Sequence, residues 1–171
     1  MDVEAARAAF LVGLIERYAE RDRPLLEVGC RNGRNMMSLY QAGFRNLTGI
    51  ESTCERLLQM EGRHPEMSAH SRVLCGDEAE VLSALGDCEF DLVFTVGFFE
   101  QPGADYSPVW DGMARVARLH VVTIEDERPA AGASDYRAVF ESRGFIQVME
   151  KSLSALTELK SDFTARAFMK P

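Results

Sequence analysis

Residues 25–51 read LLEVGCRNGRNMMSLYQAGFRNLTGIE. Leu25, Leu26 and Val28 form a short apolar run that stops at Gly29, and a helical pattern opens near Gly33. A second apolar run, Leu47 to Ile50, ends in the acidic Glu51. The pattern is strand, tight turn, helix, strand. In an open parallel sheet the carboxyl ends of the strands form the ligand crevice, which places Gly29 and Glu51 side by side at its lip. A glycine there lets backbone approach a ligand closely, and a carboxylate there can accept hydrogen bonds from both hydroxyls of a ribose. The arrangement asks for a nucleoside.

The glycines narrow the class of nucleoside. A dinucleotide fingerprint requires G-x-G-x-x-G, but this chain has Arg31 at the middle position and Met36 beyond Gly33. The stretch instead resembles motif I of the class I S-adenosylmethionine-dependent methyltransferases, [DE]-x-G-x-G-x-G, with Glu27, Gly29 and Gly33 matching and Arg31 replacing a glycine. The resemblance implies S-adenosyl-L-methionine as cofactor. It implies cofactor contacts at Glu27, Gly29, Cys30, Arg31 and Gly33, at the ribose-binding Glu51 with Ser52, at Asp77 and Glu78, and at Val96 and Gly97. A Cβ directed into a tight backbone approach would clash, so Arg31 is expected to turn aside, with pairing to the methionyl carboxylate as a secondary benefit.

Working outward toward the N-terminus, Val3, Ala6, Phe10, Leu14 and Tyr18 recur at helical spacing beside Leu11 and Ile15, which predicts an amphipathic helix ending before Pro24. Residues 1–22 are thus an N-terminal helix that covers the core or, as in many small methyltransferases, the cleft. Toward the C-terminus, Ser52 and Thr53 are candidate caps for a helix whose Leu57, Leu58 and Met60 face inward, and Gly62 and Pro65 break it. His64 in that break reads as solvated. Arg72 to Gly76 reads as a third strand, and Asp77 either caps the following helix or hydrogen-bonds an adenine amino group, as the family implies. Phe90 to Gly97, FDLVFTVG, resembles the family's fourth strand, with Gln101 where a histidine is frequent. Val109, Trp110, Met113 and Val116 mark another helix, and Leu119 to Ile124 a fifth strand that runs into Glu125-Asp126-Glu127. A helix over Asp135 to Ser142 and strands at Phe145 to Val148 and Phe163 to Phe168 complete the pattern.

Seven strands alternating with helices predict a doubly wound, Rossmann-like α/β sheet with helices on both faces. The last strand is expected to be antiparallel, because only a loop joins it to the sixth. The resemblance implies the strand order 3-2-1-4-5-7-6 and covers nearly the whole chain. A looser likeness ties Val109 to Glu127, VWDGMARVARLHVVTIEDE, to small bacterial methylases associated with nonulosonic (pseudaminic acid) sugar biosynthesis.

The 171 residues, 46% hydrophobic, suffice for one well-buried domain spanning residues 1–171. A net charge of −8 argues against nucleic acid and anionic membranes as partners. With no membrane span or secretion signal in the pattern, a cytoplasmic protein is expected. Cys30, Cys54, Cys75 and Cys88 contain no C-x-x-C pair, so reduced thiols are expected rather than bridges or a zinc site; no metal is expected elsewhere.

Methyl transfer from a sulfonium needs alignment and exclusion of water, and a base only when the nucleophile arrives protonated. Glu100, Glu125 and Asp126 are the candidates for that base, although the run from Glu125 to Glu127 also reads as a solvated turn. Arg34 reads as an exposed first-turn residue or a partner for the cofactor carboxylate. Phe98 and Phe99 wall the site or belong to the core. The leading expectation is an enzyme acting on a small-molecule acceptor. A silent methyltransferase-like domain that binds a partner protein is the alternative, and a nicotinamide-dependent oxidoreductase stands third.

Overall fold

A computed structural model describes residues 3–101, 103–128, 134–154 and 162–171. The elements in order are α1 (Val3–Ile15), β1 (Leu25–Val28), α2 (Arg34–Gln41), β2 (Leu47–Glu51), α3 (Cys54–Arg63), α4 (Pro65–Ala69) and β3 (Arg72–Cys75). They continue as α5 (Glu78–Ala84), β4 (Phe90–Val96), α6 (Ser107–Val116), β5 (Ala117–Asp126), α7 (Tyr136–Glu141), β6 (Ile146–Ser152) and β7 (Phe163–Met169). The seven strands form one sheet in the order β3-β2-β1-β4-β5-β7-β6. Strands β1 to β5 pair in parallel, and β7 runs antiparallel to both β5 and β6.

Strands β1, β2 and β4 are buried along almost their whole length because helices cover both faces, and most of their residues are apolar. Leu25, Leu92, Phe94, Val122 and Ile124 pack with Leu11, Leu14, Met36 and Leu39 on the face covered by α1 and α2. Leu26, Val28, Val93 and Val121 pack with Leu82, Met113, Tyr136 and Phe140 on the face covered by α5, α6 and α7. Because successive strand residues point to opposite faces, Glu27 and Glu51 share the α1 face with Leu25 and Leu47. Glu125 points the other way from Ile124.

Several local expectations need correction. The first helix ends at Ile15 and continues only as turns, through bonds such as Tyr18 N to Ile15 O at 3.0 Å. Helix α3 runs through Gly62 to Arg63, and Pro65 starts α4, which the sequence pattern does not reveal. Proline fits there because a first-turn N–H has no intrahelical acceptor to lose. Thr53 stands at the N-cap of α3 without a side-chain capping bond. Leu58 is 68% exposed rather than inward. The expected turn at Glu125-Asp126 is instead the end of β5, paired through Asp126 to Phe163 of β7. Cys54 and Cys75 are joined by a disulfide with Cα atoms 5.6 Å apart, which overturns the expectation of reduced thiols for that pair. Parallel pairing puts Cys75 opposite Glu51, and Cys54 follows Glu51 by one turn. Their proximity is a product of topology rather than spacing. Cys30 and Cys88 are free.

Candidate functional site

The turn after β1 is built from left-handed backbone. Gly29 and Gly33 have φ of 76° and 77°, and a Cβ on Gly29 would strike the Phe98 ring while one on Gly33 would strike Met60. Arg31 takes φ of 52° without being glycine, a conformation that disfavours a side chain by about 1–2 kcal/mol. Its backbone N–H donates to Glu51 Oε2 at 3.0 Å, fastening the turn to the end of β2. Its guanidinium does not turn aside, contrary to expectation. It donates to Gly97 O at 2.5 Å and to Glu100 Oε2 at 3.1 Å, tying the β1 turn to the end of β4.

A cavity of about 720 Å³ opens between α1, α2 and the carboxyl ends of β1, β4 and β5. Of the expected site residues, Gly29, Cys30, Arg31, Val96, Gly97 and Glu100 line it. Phe10, Leu11, Met37, Ile124, Leu153 and Phe163 supply apolar wall. Arg34 is the exposed first residue of α2, as its neutral reading has it, and it also lines the cavity and pairs with Glu4 of α1. His64, read as solvated, also lines the cavity. Sequence reasoning missed Phe163 and Asp162 in the lining, because their place beside the end of β5 comes from antiparallel pairing.

Three buried carboxylates stand near the strand ends, each in a different environment. Glu27 is 1% exposed; Asn35 Nδ2 donates to its Oε1 at 2.7 Å, and its Oε2 has no partner among the described residues. Burial pushes its pKa up to about 8 against the pull of Asn35 and Arg31. Glu51, 2% exposed, accepts from Arg31 N, from Thr53 N at 2.9 Å and from Arg56 Nη1 at 3.1 Å. It is not the solvent-facing group that a strand-end position suggests. Glu125 lies on the opposite face of the sheet, fully buried, accepting from Phe98 N at 2.9 Å and Phe99 N at 3.2 Å. Burial pushes it up to about 7.

These positions separate the three candidate bases. Glu100 is half exposed at the cavity edge. Glu125 instead braces the turn after β4 from behind. Asp126 is held by Arg128, which donates Nε and Nη2 to it and Nη1 to Asp162 at 2.8 Å; the hydrogen bonds from Arg128 keep its carboxyl below the usual range. Phe98 packs over Gly29, whereas Phe99 is buried among Tyr106, Trp110 and Tyr136. Beyond the end of β3, Asp77 caps α5 by accepting from Ala79 N and Glu80 N at 3.0 and 3.1 Å. Glu78 Oε1 accepts from Ser52 N at 3.2 Å. Ser52, Asp77 and Glu78 thus form a shelf beyond Glu51, outside the cavity lining.

The carboxylate acceptors Glu27 and Glu51, with the Arg31 guanidinium, fit a cofactor that carries ribose hydroxyls and a zwitterionic amino-acid tail. Glu27 holds a buried oxygen with no partner among the described residues, although Glu27 itself is not part of the cavity lining, and Gly29 and Gly33 are required by the left-handed backbone and by close packing against Phe98 and Met60. An unsatisfied buried carboxylate oxygen is costly unless something donates to it.

Residues 26–121 match the family model described as "Methyltransferase domain". No curated protein matches the chain in sequence. Among solved structures, a TehB-like SAM-dependent methyltransferase from Corynebacterium glutamicum is 20% identical, with TM-score 0.72 over 94% of this chain and 87% of that one. Magnesium protoporphyrin IX methyltransferase from Synechocystis PCC 6803, solved with bound SAH, is 14% identical, with TM-score 0.76 over 98% and 83%. Geranyl diphosphate C-methyltransferase from Streptomyces coelicolor, in complex with Mg2+, geranyl diphosphate and S-adenosyl-L-homocysteine, is 13% identical, with TM-score 0.76 over 98% and 78%. At these identities the likeness establishes a shared fold.

Proposed function

The chain belongs to the methyltransferase-domain family, and from that premise we propose that it transfers a methyl group from S-adenosyl-L-methionine to a small-molecule acceptor. The observation that carries this reading is Glu27: a buried carboxylate whose Oε2 has no partner among the described residues, two residues before the left-handed turn that begins at Gly29. Glu51 accepts the ribose hydroxyls. Ser52, Asp77 and Glu78 frame the base. Gly29, Cys30 and Gly33 lie along the cofactor, and Val96 and Gly97 form its floor. Arg31 is already inside the cavity, so its guanidinium meets the cofactor carboxylate by exchanging one carboxylate partner, Glu100, for another.

The cofactor supplies an electrophilic methyl group on a sulfonium. The protein aligns the acceptor and keeps water out, work suited to the wall of Phe10, Leu11, Met37, Ile124, Leu153 and Phe163. Where the acceptor arrives protonated, Glu100 is the candidate base with access to the cavity. Glu125 and Asp126 act through position, by shaping the turn after β4 and by holding Arg128.

The test is calorimetric titration with S-adenosylhomocysteine, together with a thermal melt. Micromolar affinity and a raised Tm are expected of a ligand that binds only the folded state. Neither heat nor a thermal shift at saturating concentration, with a response to NADH instead, would overturn the reading.

A further inference from the structure

The disulfide sits at the nucleoside end of the crevice. Cys54 is the first residue of α3 and Cys75 the last of β3, and both are exposed. Between them lies the shelf that carries the nucleoside contacts. Gly76 N donates to Glu51 O at 3.1 Å, Ser52 N to Glu78 Oε1 at 3.2 Å, and Thr53 N to Glu51 Oε1 at 2.9 Å. The two elements joined are lightly held otherwise. Among the described residues α3 fully buries Met60 alone, and β3 is a four-residue edge strand paired with β2. The bridge therefore fastens two loose margins of the same binding surface.

We propose that Cys54 and Cys75 are a reversible thiol–disulfide site that sets the affinity of the crevice for its nucleoside ligand. The proposal rests on the cofactor reading above. With a low-molecular-weight disulfide as oxidant, the Cys54 thiolate attacks one sulfur and releases one thiolate, forming a mixed disulfide. The Cys75 thiolate then attacks Cys54 sulfur and releases the second. Two protein thiols lose two protons and two electrons, and the small disulfide becomes two thiols. Cys54 suits the first step because a helix N-terminus favours the thiolate. Exposure makes the bridge reachable by oxidant and reductant alike, the situation of labile rather than structural disulfides. Cys30 is excluded from the exchange, since its thiol is buried and pushed up by that burial. In the bridged state the Glu51 and Glu78 ends of the shelf are preorganised. In the reduced state the ligand must also order them.

The experiment uses the full chain equilibrated with glutathione disulfide or with dithiothreitol, its thiol state read by alkylation and mass spectrometry. Each form is titrated with S-adenosylhomocysteine. The bridged protein is expected to bind three- to tenfold more tightly. Cys54→Ser and Cys75→Ser should each bind like the reduced protein under both conditions, and Cys88→Ser should respond like the parent. Equal affinity in the two states, tighter binding on reduction, or failure to form the bridge at any glutathione ratio would overturn the proposal. Absence of binding in both states overturns the cofactor reading, and the proposal with it.

Discussion

On the β2 flank of the crevice, Glu51 is buried with two backbone N–H donors and the Arg56 guanidinium. On the β5 flank, Glu125 is equally buried with two backbone N–H donors, and its Oε1 has no partner among the described residues. The first keeps a cation within 3.1 Å because α3 begins three residues after Glu51 and returns Arg56 over it. The second points into the layer of Phe99, Tyr136 and Trp110, and burial pushes it up to about 7. A carboxylate at a strand end is thus an ion-paired anchor or a buried brace according to what its neighbours supply. Glu27 belongs with Glu125 in this respect, having a neutral amide as its donor and a pKa pushed up to about 8.

The largest expected consequence is a dependence of stability on pH. A group whose folded pKa is raised contributes stability that is fully present below its unfolded value, near 4.5, and lost as pH rises through the folded value. Stability should therefore fall between about pH 5 and 8, by up to about 3 kcal/mol through Glu125 and rather more through Glu27. Denaturant midpoints at the two pH values measure this. Glu125→Gln and Glu27→Gln should each flatten the slope, and an unchanged slope in both would break the contrast between the flanks.

Glu51→Ala attacks the other flank. It removes a buried acceptor of three hydrogen bonds, so S-adenosylhomocysteine binding should weaken roughly ten- to a hundredfold. The unliganded protein should lose about 2–4 kcal/mol, because two N–H groups lose their acceptor and Arg56 loses its pair. Calorimetry and urea unfolding separate the two effects. Full stability with lost binding would mean that the Glu51 network does not hold the Arg31 turn.

The smallest effect is expected at Arg31, which spans the two flanks. Arg31→Gly relieves a left-handed backbone, raising stability by up to about 1 kcal/mol, and removes an exposed ion pair worth a similar amount or less. Affinity for S-adenosylhomocysteine should change by less than about threefold. A gain of more than tenfold would mean that the arginine plugs the cavity, and would favour a silent binding domain over an enzyme.

Much of the fold was legible because its signals are local. The apolar runs at Leu25 to Val28 and Phe90 to Val96, the glycines at 29 and 33, and the acid closing β2 each depend on neighbours in sequence. They fixed strand ends and the crevice lip without long-range information. Strand order came from family likeness, since periodicity carries no record of which strand lies beside which. The candidate cofactor residues around the β1 turn were named from the likeness to motif I, and of these Gly29 and Gly33 take the left-handed backbone that favours glycine.

Burial, charge state and cross-strand proximity were decided by tertiary structure. Glu125-Asp126-Glu127 looks like a solvated turn in sequence, but pairing with β7 extends β5 through Asp126 and turns Glu125 into the core. Arg31 keeps its side chain in the cavity because Gly97 O and Glu100, far away in sequence, converge on it. Cys54 and Cys75 meet because β2 and β3 pair in parallel, bringing the start of one helix beside the end of the neighbouring strand. The sequence by itself determined where strands and turns occur, since backbone conformation is a local matter of sterics and hydrophobic period. Only the packed sheet decided which polar groups share a space, because their energies depend on neighbours supplied by distant segments.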